Sequence, residues 1–146
     1  MTESEIESGN VARYCKPSSL ENGVPDKSAF EKRKGEQYLS VYRLEFFQKQ
    51  TEKENIAEVR NYMEKKIRFN CKSNGSFAVL NIEQSKEYIL EELSEIISYK
   101  EEGLPHCGLY HNTDDFLIAE LLTECVQNNY FVKDIVDPNI PPSLPS

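Results

Sequence analysis

Ser76-Phe77-Ala78-Val79-Leu80-Asn81-Ile82 holds four consecutive apolar residues, 77–80, between polar neighbours. A run this short has the length of a strand, and apolar side chains at every position mean that both of its faces are covered. On its N-terminal side, Ser73-Asn74-Gly75 is a hairpin signal, and Ile67-Arg68-Phe69-Asn70-Cys71 alternates apolar and polar. A hairpin of 67–71 with 76–82 is therefore expected. On its C-terminal side, Tyr88, Ile89, Leu93, Ile96 and Ile97 recur on one helical side, which predicts a helix from 83 to about 99. The alternative for its last turns is a strand, Ile96-Ile97-Ser98-Tyr99, ending at Gly103.

Further out, Thr51-Glu52-Lys53-Glu54 matches a capping box and starts a helix over 52–66 with Ile56, Val59, Met63 and Ile67 as its apolar stripe. Residues 38–44 read as a strand, with Leu39, Val41 and Arg43 opposite Tyr38, Ser40, Tyr42 and Leu44. Glu45-Phe46-Phe47 continues into a connection or a short helix. Residues 11–15 form an earlier strand, with Val11, Arg13 and Cys15 opposite Ala12 and Tyr14. Between them lies a long irregular stretch, 16–37, with a positive-φ turn expected at Glu21-Asn22-Gly23 and with Leu20, Val24, Ala29 and Phe30 as its pins.

The C-terminal third predicts a helix capped by Asn112 or Thr113, with Asp114 and Asp115 in its first turn. Its buried face is expected to hold Phe116, Leu117, Ala119, Leu121, Leu122, Cys125 and Val126. Asn128-Asn129 ends it, and 130–136 reads as a final strand. Residues 1–10 are expected to be a flexible acidic arm, 11–136 one α+β domain, and 137–146, with four prolines, an extended tail. The order suits a small mixed or mainly antiparallel sheet with about three helices packed on one side of it.

The 17 basic and 25 acidic residues leave a net charge of −8, which repels phosphate backbones and anionic lipid. Neither nucleic acid nor membrane is an expected partner; a protein with a basic surface is. Met1-Thr2-Glu3-Ser4-Glu5 is acidic where a signal peptide is basic and then apolar, and the four cysteines are widely spaced. A reducing cytoplasmic setting with free thiols is expected. Acidic charge concentrates in 83–102, with seven acidic against two basic residues, and Glu91, Glu92 and Glu95 are the candidate partner-binding residues.

Candidate chemistry is sparse. His106, Cys107 and His111 fall together, but their spacing suits no zinc site and no nucleophile–base pair, so no metal and no cofactor are expected. His111 stands at a helix start, where a neutral imidazole could serve as a base or donor. Lys27, Lys32, Arg33 and Lys34 against Glu31 make the one basic concentration, in the long loop. Arg13 and Arg43 are strand arginines able to grip a phosphate or carboxylate, with Lys32 and Arg33 as companions. Ser40 joins Arg13 and His111 as a catalytic candidate, and the discriminating geometry is whether these three converge on one cleft.

Two expectations follow. The first is a non-enzymatic binding or accessory protein, of immunity, antitoxin-like or defence-system type, engaging a partner through its acidic surface. The second is a small enzyme or sensor for a nucleotide-like or phosphorylated ligand, with a pocket formed by 16–37, Arg13, Arg43 and His111.

Overall fold

The computed structural model describes residues 5–112 and 115–135. In chain order the strands are β1 (Glu5–Ile6), β2 (Asn10–Cys15), β3 (Leu20–Glu21), β4 (Val24–Pro25), β5 (Leu39–Arg43), β6 (Ser76–Asn81), β7 (Ser98–Glu101), β8 (His106–Tyr110) and β9 (Asn128–Phe131). The helices are α1 (Glu52–Lys65), α2 (Ile82–Leu93) and α3 (Asp115–Glu124). Seven strands form one sheet in the order β1-β7-β8-β5-β2-β6-β9, and β3 and β4 form a separate hairpin. The described pairings are all antiparallel. The fold is α+β, as the sequence implies.

The apolar run 77–80 lies in β6, paired with β2 along its whole length and with β9 on the other edge. Phe77 and Val79 enter one core, with Ala12, Tyr42 and the α1 residues Ile56, Val59 and Met63. Ala78 and Leu80 enter the other, with Val11, Phe30, Ile89 from α2 and Ile118 from α3. Helices therefore cover both faces of the sheet, which corrects the one-sided arrangement. A strand apolar at every position needs cover on each side, and α1 supplies the second cover.

The capping box forms as expected. The Glu54 amide donates to Thr51 Oγ1 at 3.1 Å, and the Thr51 amide to Glu54 Oε1 at 3.0 Å. Two of the first-turn donors that a helix leaves unpaired are thereby satisfied.

Several elements differ from expectation. Residues 67–71 are not a strand, so no hairpin joins them to β6. Arg68 has φ 54°, and the Phe69 amide turns back to the Met63 carbonyl at 2.8 Å, wrapping the chain around the end of α1. The 73–75 turn is instead engaged by the segment after β9: Lys133 donates to the Ser73 carbonyl at 3.1 Å and Val132 to the Gly75 carbonyl at 3.0 Å. Helix α2 stops at Leu93, where Ser94 takes φ 56° as a left-handed cap, and the strand alternative for its end is realised as β7.

The final strand begins two residues earlier than expected and gives way to a 3-10 turn over Val132–Asp134. In α3, Phe116 and Leu117 are exposed, and Ile118, Ala119 and Leu122 form the buried stripe. The i, i+1, i+4 set faces the sheet, while the two preceding apolar residues fall outside it. Glu5–Ile6 pairs with Tyr99 and Lys100, so that part of the expected arm is an edge strand. Thr113, Asp114 and Val136, like the expected tail 137–146, lie outside the described residues.

Candidate anion-binding cleft

On β2, Val11, Arg13 and Cys15 share a face, and Val11 and Cys15 are fully buried in the core. Arg13 is a cation placed between two core positions. What receives it is the long loop, which folds back over this face. Its first piece is a 3-10 turn, Pro17–Ser19. The β3–β4 hairpin follows, with Asn22 at φ 55° and Gly23 at φ 81°, the pair of left-handed residues that a tight two-residue turn demands. A second 3-10 turn, Lys27–Phe30, is capped by Asp26, which accepts from the Ser28 amide at 2.8 Å. Ser28 Oγ donates to Asp26 Oδ1 at 2.5 Å and lies 2.9 Å from Ser19 Oγ, a hydroxyl contact that joins the two turns.

Ala29 and Phe30 are buried and pin the loop, and Leu20 packs partly against the same core. Val24 is 63% exposed and pins nothing, because the hairpin directs Pro25 inward instead.

The pinned loop offers Arg13 a carbonyl. Arg13 Nε donates to Ala29 O at 2.7 Å and Nη1 to Ser40 O at 2.8 Å. Among the described residues no carboxylate makes an ion pair with it. Burial is the largest influence on the guanidinium and pulls its pKa below the ordinary arginine value; Arg33 pushes in the same direction, and Cys15 and Glu36 oppose it. Arg13 is thus a part-buried cation held by neutral carbonyls, whose charge an anion in the same place would complete.

Beside Arg13 is a cleft of about 270 Å³ at the end of β2. Lys16, Lys32 and Arg33 add three more cations to its wall, and Ser19 and Ser28 bring hydroxyls. Glu31 is the one carboxylate of the lining. Tyr14 and Phe69 complete the wall with two rings in edge contact at 5.3 Å. On a chain of net charge −8 this is a strongly positive spot. The basic residues of 27–34 make no ion pair with the acidic stretch 83–102 among the described residues, whereas Lys86 of that stretch binds Glu5 and Glu7.

The other sequence candidates go elsewhere. His111 is buried and does not line the cleft; its Nε2 lies 3.4 Å from Asp115 Oδ1. Lys32 of the cleft lining connects to it: its Nζ donates to the His111 carbonyl at 3.2 Å and its amide donates to Asp115 Oδ2 at 3.0 Å. Arg43 faces Glu45 at 3.8 Å and is not in the lining.

Ser40 gives its carbonyl to Arg13, but its hydroxyl is 3.1 Å from His106 Nε2, within the aromatic group of Tyr38, Tyr42 and Tyr110. Arg13, Ser40 and His111 therefore do not converge. No family model matches the chain, and no curated protein or solved structure matches it either.

The four cysteines are buried and free. Burial pushes Cys107 up to about 11, opposite to what a nucleophilic thiolate requires. Among the described residues no group of three or more His, Cys, Asp or Glu could hold a metal ion.

Tyr14, Lys16, Ser19, Ser28, Glu31 and Phe69 were not legible as site residues. The available signal was Arg13 itself, an arginine at an inward-facing strand position followed by a long loop with a basic cluster.

Glu91 and Glu92, on α2, are exposed, and Glu95 is half-buried. Next to them Leu90 is 50% and Ile96 77% exposed, and both line a shallow depression with Lys86 and Glu87.

Proposed function

We propose that this chain is a non-enzymatic binding protein whose cleft takes a small phosphorylated or otherwise anionic ligand. The observation that carries this reading is Arg13: part-buried, fixed by two carbonyls, without an ion-pair partner among the described residues, and beside three further cations. An anion there would gain charge-assisted hydrogen bonds from the remaining N–H groups of a guanidinium that two carbonyls already hold in place. Ser40 and His111 lie outside the cleft, so the nucleophile and base expected from the sequence do not meet there, which favours binding over catalysis.

Titration of the full chain with inorganic phosphate, followed by amide chemical shifts, tests it. Saturable shifts centred on 13–33 that Lys16→Gln and Arg33→Gln weaken are expected. Absence of saturable shifts overturns the reading.

A second reading, an accessory protein of immunity or antitoxin-like type, rests on a different observation. Leu90 and Ile96 are exposed beside Glu87, Glu91, Glu92 and Glu95. Exposed aliphatic side chains within an acidic stretch complement a basic partner segment with one apolar anchor. A partner recovered by the wild-type chain is expected to lose affinity on charge reversal at Glu91, Glu92 and Glu95 and with added salt. Affinity indifferent to both counts against this reading.

A further inference from the structure

We infer that the ligand of the Arg13 cleft is a free mononucleotide, its phosphate held by the cations and its base by the Tyr14–Phe69 wall. This rests on the anion-binding reading and narrows it.

The cleft is not uniformly positive. A site for inorganic phosphate alone has no use for Glu31, which would repel it. A ligand that also carries hydroxyl or amino donors turns that carboxylate into an acceptor. Sugar hydroxyls and exocyclic amines are such donors.

The aromatic wall is the second asymmetry. Phe69 remains 40% exposed, although the chain turns back through Arg68 at positive φ to bring it against Tyr14. Tyr14 is anchored by its hydroxyl, which accepts from the Lys72 amide at 2.9 Å, and by an edge contact with Phe77 at 5.5 Å. The segment that carries Phe69 is thus tied to β2 through Tyr14. A partly open ring on a fixed support is a platform for a planar group, and every nucleobase presents a face to it. A cleft of about 270 Å³ is of a size to take a single nucleotide unit. The net charge of −8 disfavours a polyanionic strand at the same place.

The experiment compares adenosine monophosphate, uridine monophosphate, adenosine, inorganic phosphate and a short single-stranded oligonucleotide. Binding is measured by calorimetry and amide shifts on the full chain, on Phe69→Ala and on Lys16→Gln. The expected result is that the mononucleotides bind about tenfold or more tighter than phosphate, the worth of one stacked base, and also tighter than adenosine, which lacks the phosphate. Phe69→Ala should erase that advantage and leave phosphate binding unchanged, while Lys16→Gln should weaken phosphate and mononucleotide alike.

Equal binding of phosphate and mononucleotide, indifferent to Phe69→Ala, overturns the nucleotide assignment and leaves the anion site standing. Adenosine binding as well as its monophosphate overturns both. So does no binding by any probe. Binding of the oligonucleotide alone overturns the free-mononucleotide assignment. Phe69 is a half-exposed loop residue, so its removal is compatible with folding; native amide shifts in the variant check this.

Discussion

Arg13 Nε donates to the Ala29 carbonyl at 2.7 Å, and this contact ties the centre of the sheet to the loop that covers it. Next to Ala29 is Phe30, fully buried in the core shared with α2 and α3. The loop is thus fixed from both sides of one peptide: by its own side chain in the core and by an arginine from the strand below.

Arg13→Lys should destabilise the fold, because one ammonium on a flexible stem cannot serve the Ala29 and Ser40 carbonyls with the geometry of a guanidinium. The loss expected is about 1–3 kcal/mol for a carbonyl left without its donor. Urea unfolding of the ligand-free chain measures it. An unchanged midpoint would show that the two hydrogen bonds are dispensable.

Phe30→Ala should cost about 3–5 kcal/mol, the range for emptying a buried phenylalanine site. It should also loosen the loop. Hydrogen exchange at the amides of 16–34 is expected to quicken more than exchange in β6, which stays paired on both edges. Uniform acceleration throughout the sheet would place Phe30 in the global core rather than in the loop's own anchorage.

Alkaline pH should weaken the fold through the buried thiols. Burial raises Cys15 and Cys107 from 9.0 to about 11. Above pH 9 the unfolded chain releases these protons and the folded chain keeps them, so the contribution is complete below pH 9 and is lost as pH rises toward about 11. Two units at each site correspond to about 2–3 kcal/mol per thiol at the upper end of that window. Unfolding midpoints at steps across it, for the wild type and Cys107→Ala, read this directly: the variant should have the shallower decline.

Thr51→Ala should cost about 1 kcal/mol by removing the cap of α1. The cap stands at the N-terminal end of that helix, whereas Phe69 of the cleft wall is held near its other end, through the Met63 carbonyl. Ligand affinity at the cleft is therefore expected to stay the same, which separates loss of stability from loss of binding. A parallel fall in affinity would couple the cap to the cleft.

The sequence by itself determined the elements whose signals are local. The run 77–80, the Thr51–Glu54 box, the alternation at 11–15 and the turn at Asn22-Gly23 each follow from chemistry within a few residues, and each is present. What only the tertiary structure decided was pairing and convergence. Segment 67–71 has strand periodicity, yet β2 and β9 occupy both edges of β6 and leave it no partner. Ser40 and His106, distant in the chain, meet because antiparallel register sets β5 beside β8, whereas His111 lies beyond the end of β8 and outside the cleft lining. Phe69 reaches the cleft only because the chain reverses after α1. Side-chain period is a property of neighbours along the chain, but which strand edges are free and where a loop lands are properties of the whole packed molecule.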